Sequence, residues 1–96
     1  MDTTWTVGLL PAGVENVQTV ATGTEGTREE AIEAASGALV VAAIRSGRAE
    51  FRVSVADTRV IVVPGLTAHG EVDLYDLRDA LWSVERVRAA EPPADV

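Results

Sequence analysis

The fold is decided by residues 27–47, which read TREEAIEAASGALVVAAIRSG. Thr27 stands three residues before Glu30, the spacing of a capping box, in which the side chain at each position satisfies a backbone N–H at the other. Arg45 lies in the last turn, where a cation is favoured, and Gly47 follows at a position typical of helix ends. The stretch therefore predicts an alanine-rich helix from Thr27 to Gly47.

One stripe of this helix is apolar at the three- and four-residue spacing of a buried helix face. Its members are Ile32, Ala35, Leu39 and the pair Ala42/Ala43. Gly37 interrupts the helix at a cost of about 1 kcal/mol relative to alanine. We interpret Gly37 as a position of close packing against a sheet, in preference to a hinge.

A hairpin is predicted on each side of this helix. Residues 4–9 alternate between apolar and polar, Pro11-Ala12-Gly13 is typical of a turn, and residues 14–22 form a second strand. Residues 23–26 are predicted to be a flexible connection to the helix. After the helix, residues 49–55 alternate again, a turn is predicted at Asp57-Thr58, and residues 59–63 are apolar on both faces.

A second helix is predicted after a loop at residues 66–72. Asp73 can cap this helix, with Asp76 at its third position. The apolar stripe comprises Leu74, Leu77, Leu81, Val84 and Val87, while Asp79, Glu85 and Arg86 are predicted to face solvent. We expect one α+β domain over residues 1–91 and a frayed tail over residues 92–96.

The two halves show the same pattern at an offset of 46 residues. This offset pairs Trp5 with Phe51, Val14 with Val60 and Thr27 with Asp73. The sequence thus predicts strand–strand–helix twice, and we interpret the pattern as an internal ββα repeat. We expect one four-stranded antiparallel sheet in the order second, first, third, fourth, with two helices on one face and a polar open face.

Composition excludes several classes of function. The 96 residues carry a formal net charge of −7 and no cysteine, so disulfides, zinc–thiolate sites and cysteine nucleophiles are excluded. Every basic residue is arginine, which suggests a GC-rich bacterial or phage genome. No stretch is long and apolar enough to span a membrane, and the N-terminus lacks a basic signal region, so we expect a cytoplasmic protein. The acidic balance predicts no nucleic-acid binding.

No residue constellation predicts catalysis or a cofactor. His69 is the only histidine, and we expect it in a solvated loop. Glu29, Glu30 and Glu33 could in principle bind a hard cation, but the electrostatics of a helix start explains them better. We therefore expect no enzyme activity, no catalytic or metal residues and no cofactor.

A short stretch, Gly23-Thr24-Glu25-Gly26-Thr27-Arg28-Glu29-Glu30-Ala31-Ile32, resembles the start of the helix in HicB-type antitoxin domains. That start has a glycine, a threonine cap and Glu-Glu-Ala after a hairpin. The proline–leucine–glycine segment that precedes it in the family is absent here. The resemblance implies an antitoxin-like protein, and no site residue is carried over from it.

The remaining hypothesis is a non-catalytic protein-interaction module that self-associates as a homodimer or binds a partner protein. Its candidate interface is Val40 and Ile44 on the first helix with Tyr75 and Trp82 on the second. These residues either pack across a two-fold axis, or Trp82 covers Val40 and Ile44 within one subunit. The alternatives are an antitoxin-like or phage-type inhibitor that masks a target, and a ligand-binding protein or enzyme with a pocket near residues 66–72.

Overall fold

The computed structural model describes residues 2–10, 16–46 and 49–90. Its elements follow in the order β1 (Thr3–Leu10), β2 (Gln18–Glu25), α1 (Arg28–Ser46), β3 (Glu50–Val55), β4 (Thr58–Val62) and α2 (Leu74–Ala90). The predicted ββαββα order is confirmed. The turn predicted at Pro11–Gly13, the helix end at Gly47 and the tail at residues 92–96 lie outside the described residues.

The strands form one antiparallel sheet in the order β2-β1-β3-β4, as predicted. The central pair is in register from Trp5 opposite Val55 to Leu10 opposite Glu50. Alternate residues of these strands point to one face, where they are buried against α1 and α2 in a single apolar cluster. The buried residues are Trp5, Val7, Phe51, Val53 and Val55 from the central strands, Ile32, Ala35 and Leu39 from α1, and Leu77 and Leu81 from α2.

The predicted threonine cap of α1 is confirmed, but the Glu30 carboxylate accepts from the Thr27 hydroxyl and not, as the capping box predicts, from the Thr27 backbone N–H. The backbone N–H of Glu30 donates to the Thr27 hydroxyl oxygen at 3.1 Å, and the same hydroxyl donates to the Glu30 carboxylate. The N–H of Ala31 reaches the Thr27 carbonyl at 3.1 Å, which closes the first turn. The bond to the Thr27 hydroxyl satisfies the Glu30 N–H, which has no partner inside the helix, so α1 begins where the sequence predicts.

The predicted position of β2 is wrong. We expected a strand over residues 14–22 and a flexible connection over 23–26, but β2 continues to Glu25. Thr3, Thr4 and Trp5 of β1 pair with its last three residues. The indole N–H of Trp5 also donates to Glu25 at 3.1 Å. Because tertiary pairing supplies these bonds, a glycine-containing segment of low strand propensity is held as a strand.

The gap-free repeat at an offset of 46 residues holds only in part. It matches β1 to β3 and the start of α1 at Arg28 to that of α2 at Leu74. It fails for the second strands, because β4 begins at Thr58 and β2 at Gln18, which are 40 residues apart. The turn between β3 and β4 is also one residue earlier than predicted, at Ala56-Asp57, where Ala56 has a φ of 54°.

Helix α2 begins at the predicted cap, where the N–H of Asp76 donates to the Asp73 carboxylate at 3.1 Å. Its buried stripe is shorter than predicted, because Leu74 and Val87 at its two ends are exposed. Glu85 was predicted to face solvent, but it is half-buried and binds Arg28. The reason is that α2 packs mainly against α1 and only lightly against β4, so its central turns alone reach the core.

Candidate interaction surface

The four predicted interface residues differ in exposure. Tyr75 and Ile44 are open to solvent, with 91% and 64% of their surface exposed. Val40 is half-buried. Trp82 is also half-buried and packs against the apolar core. Only Ile44 and Tyr75 are therefore freely available to a partner.

The helices run antiparallel, which separates Trp82 from Ile44. The indole N–H of Trp82 donates to the Glu33 carboxylate at 3.2 Å, placing this ring beside the first half of α1. Ile44 lies eleven residues further along α1, about 16 Å at the usual helical rise. Trp82 therefore cannot cover Ile44 within one subunit, and the four residues do not make one continuous patch.

An ion pair joins the start of α1 to the second half of α2. The Arg28 guanidinium donates through Nε and one terminal nitrogen to the two oxygens of Glu85, at 2.9 and 3.0 Å, and also to the Thr58 hydroxyl. This two-pronged geometry is the strong form of the pair. Hydrogen bonding from Arg28 lowers the pKa of Glu85, and hydrogen bonding to Glu85 raises the pKa of Arg28.

Helix α1 has a second apolar surface on the side away from the core. Between Glu33 and Arg45 the helix carries no charged residue. We define its outer face as the residues of this segment that are half-buried or exposed on that side: Ala34, Gly37, Ala38, Val41 and Ile44. The two alanines also pack against the edge of the core. Val41 is 48% exposed, and Ile44 follows it one turn later.

Gly37 has no packing role within the chain. A Cβ built at this position meets no atom within 4 Å, so the interpretation that Gly37 packs closely against the sheet is wrong. The physical reason is that Gly37 lies on the outer face, whereas the residues that contact the sheet lie on the opposite side of the helix. A glycine here allows close approach from outside without serving the core.

A groove runs beside the outer face, between α1 and the edge strand β2. Its volume is about 510 Å³, and its lining comprises Val20, Ala21, Gly37, Ala38, Val41, Ala42, Arg45 and Ser46. Val20 reaches it because of a β-bulge: Ala21 pairs with Val7 and Thr19 with Gly8, which leaves Val20 without a partner on β1. We call this feature the β2–α1 groove.

Sequence reasoning missed both Val20 and Val41. The charge-free run after Glu33 carried a signal for Val41, because a helix apolar on all sides needs cover on all sides. No pattern indicated Val20, since its direction depends on the bulge.

The open face of the sheet carries the predicted polar residues of β1 and β3, together with the exposed Ile61 of β4. Hydroxyls of Thr6 and Ser54 bond across the strands at 2.6 Å, and Arg52 donates to Glu50 at 2.7 Å. A shallow groove of about 580 Å³ crosses this face. Neither this groove nor the β2–α1 groove is lined by the loop at residues 66–72, where a ligand pocket was hypothesised.

The loop with His69 is exposed and held by local bonds. The backbone N–H groups of His69 and Glu71 both lie 3.3 Å from the Thr67 hydroxyl, and Leu66 bridges to Val72. Within residues 2–10, 16–46 and 49–90, no three histidine or acidic side chains are grouped as metal ligands would be. In the same part of the chain, neither helix has the length and apolar character needed to cross a membrane.

Comparison with known protein families, with curated proteins and with solved structures finds no match to this chain. The likeness of residues 23–32 to HicB-type antitoxin domains therefore transfers no function to it.

Proposed function

We propose that this protein is a non-catalytic protein-interaction module whose contact surface is the outer face of α1. The observation that carries the proposal is the charge-free surface from Ala34 to Ile44, on which Val41 and Ile44 are exposed. A helix on the surface of a monomer ordinarily shows charged and polar residues to water. Contiguous apolar exposure on a folded domain marks a place where another molecule binds.

Helix α2 provides the contrast within the same molecule. Its solvent side carries Arg78, Asp79 and Arg86, which form ion pairs with Glu33 or with each other. These three side chains are satisfied by water and by their ion pairs, although α2 also exposes Tyr75 and Val87. The outer face of α1 has no such charged groups, and full burial of each valine or isoleucine side chain contributes about 1.5–3 kcal/mol. Covering Val41 and Ile44 is therefore a source of binding energy.

A non-catalytic role also fits the chemistry that the chain offers. The lone His69 sits in an exposed loop, and its sequence neighbours include no cysteine and no serine. The net charge of −7 favours protein surfaces over nucleic acid as partners. The proposal therefore includes no cofactor, no metal and no nucleic-acid or membrane partner.

Site-specific photo-crosslinking tests this function. A photoreactive amino acid replaces Val41 in the full chain, and the matched control replaces Asp79 on the solvent side of α2. We expect a discrete covalent adduct with a protein from position 41, lost when Ile44→Glu is added to the same chain, and none from position 79. Equal labelling from both positions, or no adduct from position 41, would refute the proposed contact surface.

A further inference from the structure

We propose that the molecule bound at the β2–α1 groove is a second copy of this chain, with the two α1 helices packed antiparallel about a two-fold axis. This inference rests on the proposed function, because it names the partner of the same surface. It differs from the predicted interface, in which Tyr75 and Trp82 of α2 took part.

The groove side of α1 has the spacing of a helix-packing seam. Ala34, Ala38, Val41 and Arg45 follow one another at intervals of four, three and four residues. This is the repeat with which one helix packs along another. Val41 is half exposed, and the side chains of the two alanines are only methyl groups. A second helix can therefore lie close against this seam.

The position of the axis follows from the size of the side chains. Gly37 and Ala38 stand at the middle of the seam, and a Cβ added at Gly37 would meet no atom within 4 Å outside the backbone of its own helix. Helices with small residues at their crossing approach to about 8 Å. An axis between these two residues places Ala34 opposite Val41 of the partner subunit, so that the smaller side chain faces the larger one on both sides.

The charges on α1 are self-complementary about that axis. Arg45 forms no ion pair with any residue in the described part of the chain, and Glu30 is bonded only to Thr27 there. Both are exposed and lie equally far from the axis on opposite sides. Antiparallel packing therefore brings Glu30 beside the partner's Arg45, and symmetry repeats the pair. This charge complementarity favours a second copy over an unrelated protein.

Val20 completes the contact from the sheet. Its side chain lines the groove and is 46% exposed. The bulge that turns Val20 toward α1 also disrupts the outer edge of β2, and bulged edges pair poorly with further strands. The second copy is therefore held by helix packing over the groove and not by extension of the sheet.

Charge exchange tests the arrangement. Sedimentation equilibrium of the full chain is expected to show a species of twice 10.1 kDa. Arg45→Glu or Glu30→Arg alone should weaken the dimer about tenfold, since each places like charges together at two sites. The double variant Arg45→Glu/Glu30→Arg should recover the original dissociation constant to within about threefold.

A matched control separates this pairing from general effects of charge. Glu29→Arg makes the same charge change in the same helical turn, but Glu29 points away from the groove, so it should not rescue Arg45→Glu. Circular dichroism establishes that each variant is folded. Rescue by Glu29→Arg, or no rescue by Glu30→Arg, would overturn the antiparallel register.

A cysteine at the axis supplies a second measurement. The chain has no cysteine, so Ala38→Cys introduces a single thiol, which lies close to its symmetry mate in the proposed dimer. Mild oxidation should link Ala38→Cys chains rapidly and Asp79→Cys chains slowly. Equal rates, or a monomer at every concentration, would refute the second copy as partner. If position 41 then still crosslinks to a different protein, the proposed function stands and only this inference fails.

Discussion

Among single residues, Gly23 is constrained by the aromatic ring that lies against it. A Cβ at this position would stand 2.8 Å from the ring atoms of Trp5, closer than real side chains approach. The position of the ring is fixed, because the indole N–H of Trp5 donates to Glu25 and the backbone of Trp5 pairs with Val55 of β3. The glycine therefore allows the indole to lie flat across β2.

We predict that Gly23→Ala destabilises the protein by about 1–3 kcal/mol, the usual cost of overpacking a core. The measurement is the free energy of unfolding in urea, followed by tryptophan fluorescence. Gly65→Ala is the control, because a Cβ there meets nothing within 4 Å. Equal stability of the two variants would show that Trp5 does not rest on Gly23.

Ser36 is the buried polar residue on α1, and its hydroxyl has no hydrogen-bond partner among the described residues. A buried, unpaired hydroxyl costs about 1–3 kcal/mol, and alanine also has the higher helix propensity. We therefore predict that Ser36→Ala raises the free energy of unfolding by about 1 kcal/mol. Ser46→Ala, exposed in the last turn, measures the effect of propensity alone. A loss of stability in Ser36→Ala would mean that the hydroxyl is bonded after all.

At the scale of elements, the two helices are joined at one end by Arg28 and Glu85. The bond from Arg28 lowers the folded-state pKa of Glu85 below its ordinary value of 4.5. A carboxyl group whose pKa is lowered by folding stabilises the fold at pH values above its ordinary pKa. That stabilisation is lost as the pH falls through the folded-state pKa.

We predict that Glu85→Gln costs about 1 kcal/mol at pH 7, as expected of a half-exposed bidentate pair. The difference in stability between the two proteins should shrink as the pH falls below the ordinary value of 4.5 and through the lowered folded-state pKa of Glu85. Urea unfolding at a series of pH values measures this. Glu71→Gln, whose side chain makes no ion pair among the described residues, should show little effect at any pH. If Glu85→Gln lowered the free energy of unfolding equally at every pH, the loss would come from packing and not from charge.

At the scale of the whole molecule, the net charge of −7 determines which partners are favoured at a distance. Among the described residues, five arginines form ion pairs, each with a guanidinium nitrogen within 4.0 Å of a carboxylate oxygen of the same chain. Such arginines are not free to neutralise phosphates. We therefore expect the net charge to disfavour polyanions as partners, whatever contact the apolar outer face of α1 makes.

We predict no mobility shift of duplex DNA by the full chain at about 0.15 M salt, because release of counterions requires clustered cations. The same gel with the ionic strength lowered should give the same result. A retarded band that disappears as salt is added would be the signature of phosphate binding, and it would contradict this assignment of charge.

The sequence by itself determined the elements of this protein. Local signals carried them: the hydroxyl of Thr27 and the carboxylate of Asp73 cap the two helices where predicted, and period-two alternation located β1 and β3. The sheet order also followed, because two hairpins and two helices on one face leave few arrangements. The caps and the alternation depend on residues near one another in the chain, whereas the sheet order rests on the pairing of β1 with β3, which are distant in sequence.

Only the tertiary structure decided the end of β2, the direction of Val20 and the role of Gly37. Glu25 belongs to a strand because Thr3 and Trp5 bind it, and Val20 faces the groove because of a bulge in that pairing. Gly37 lies outside the core because the sheet covers the opposite side of α1. Each depends on contacts between residues distant in sequence, and local propensity does not contain that information.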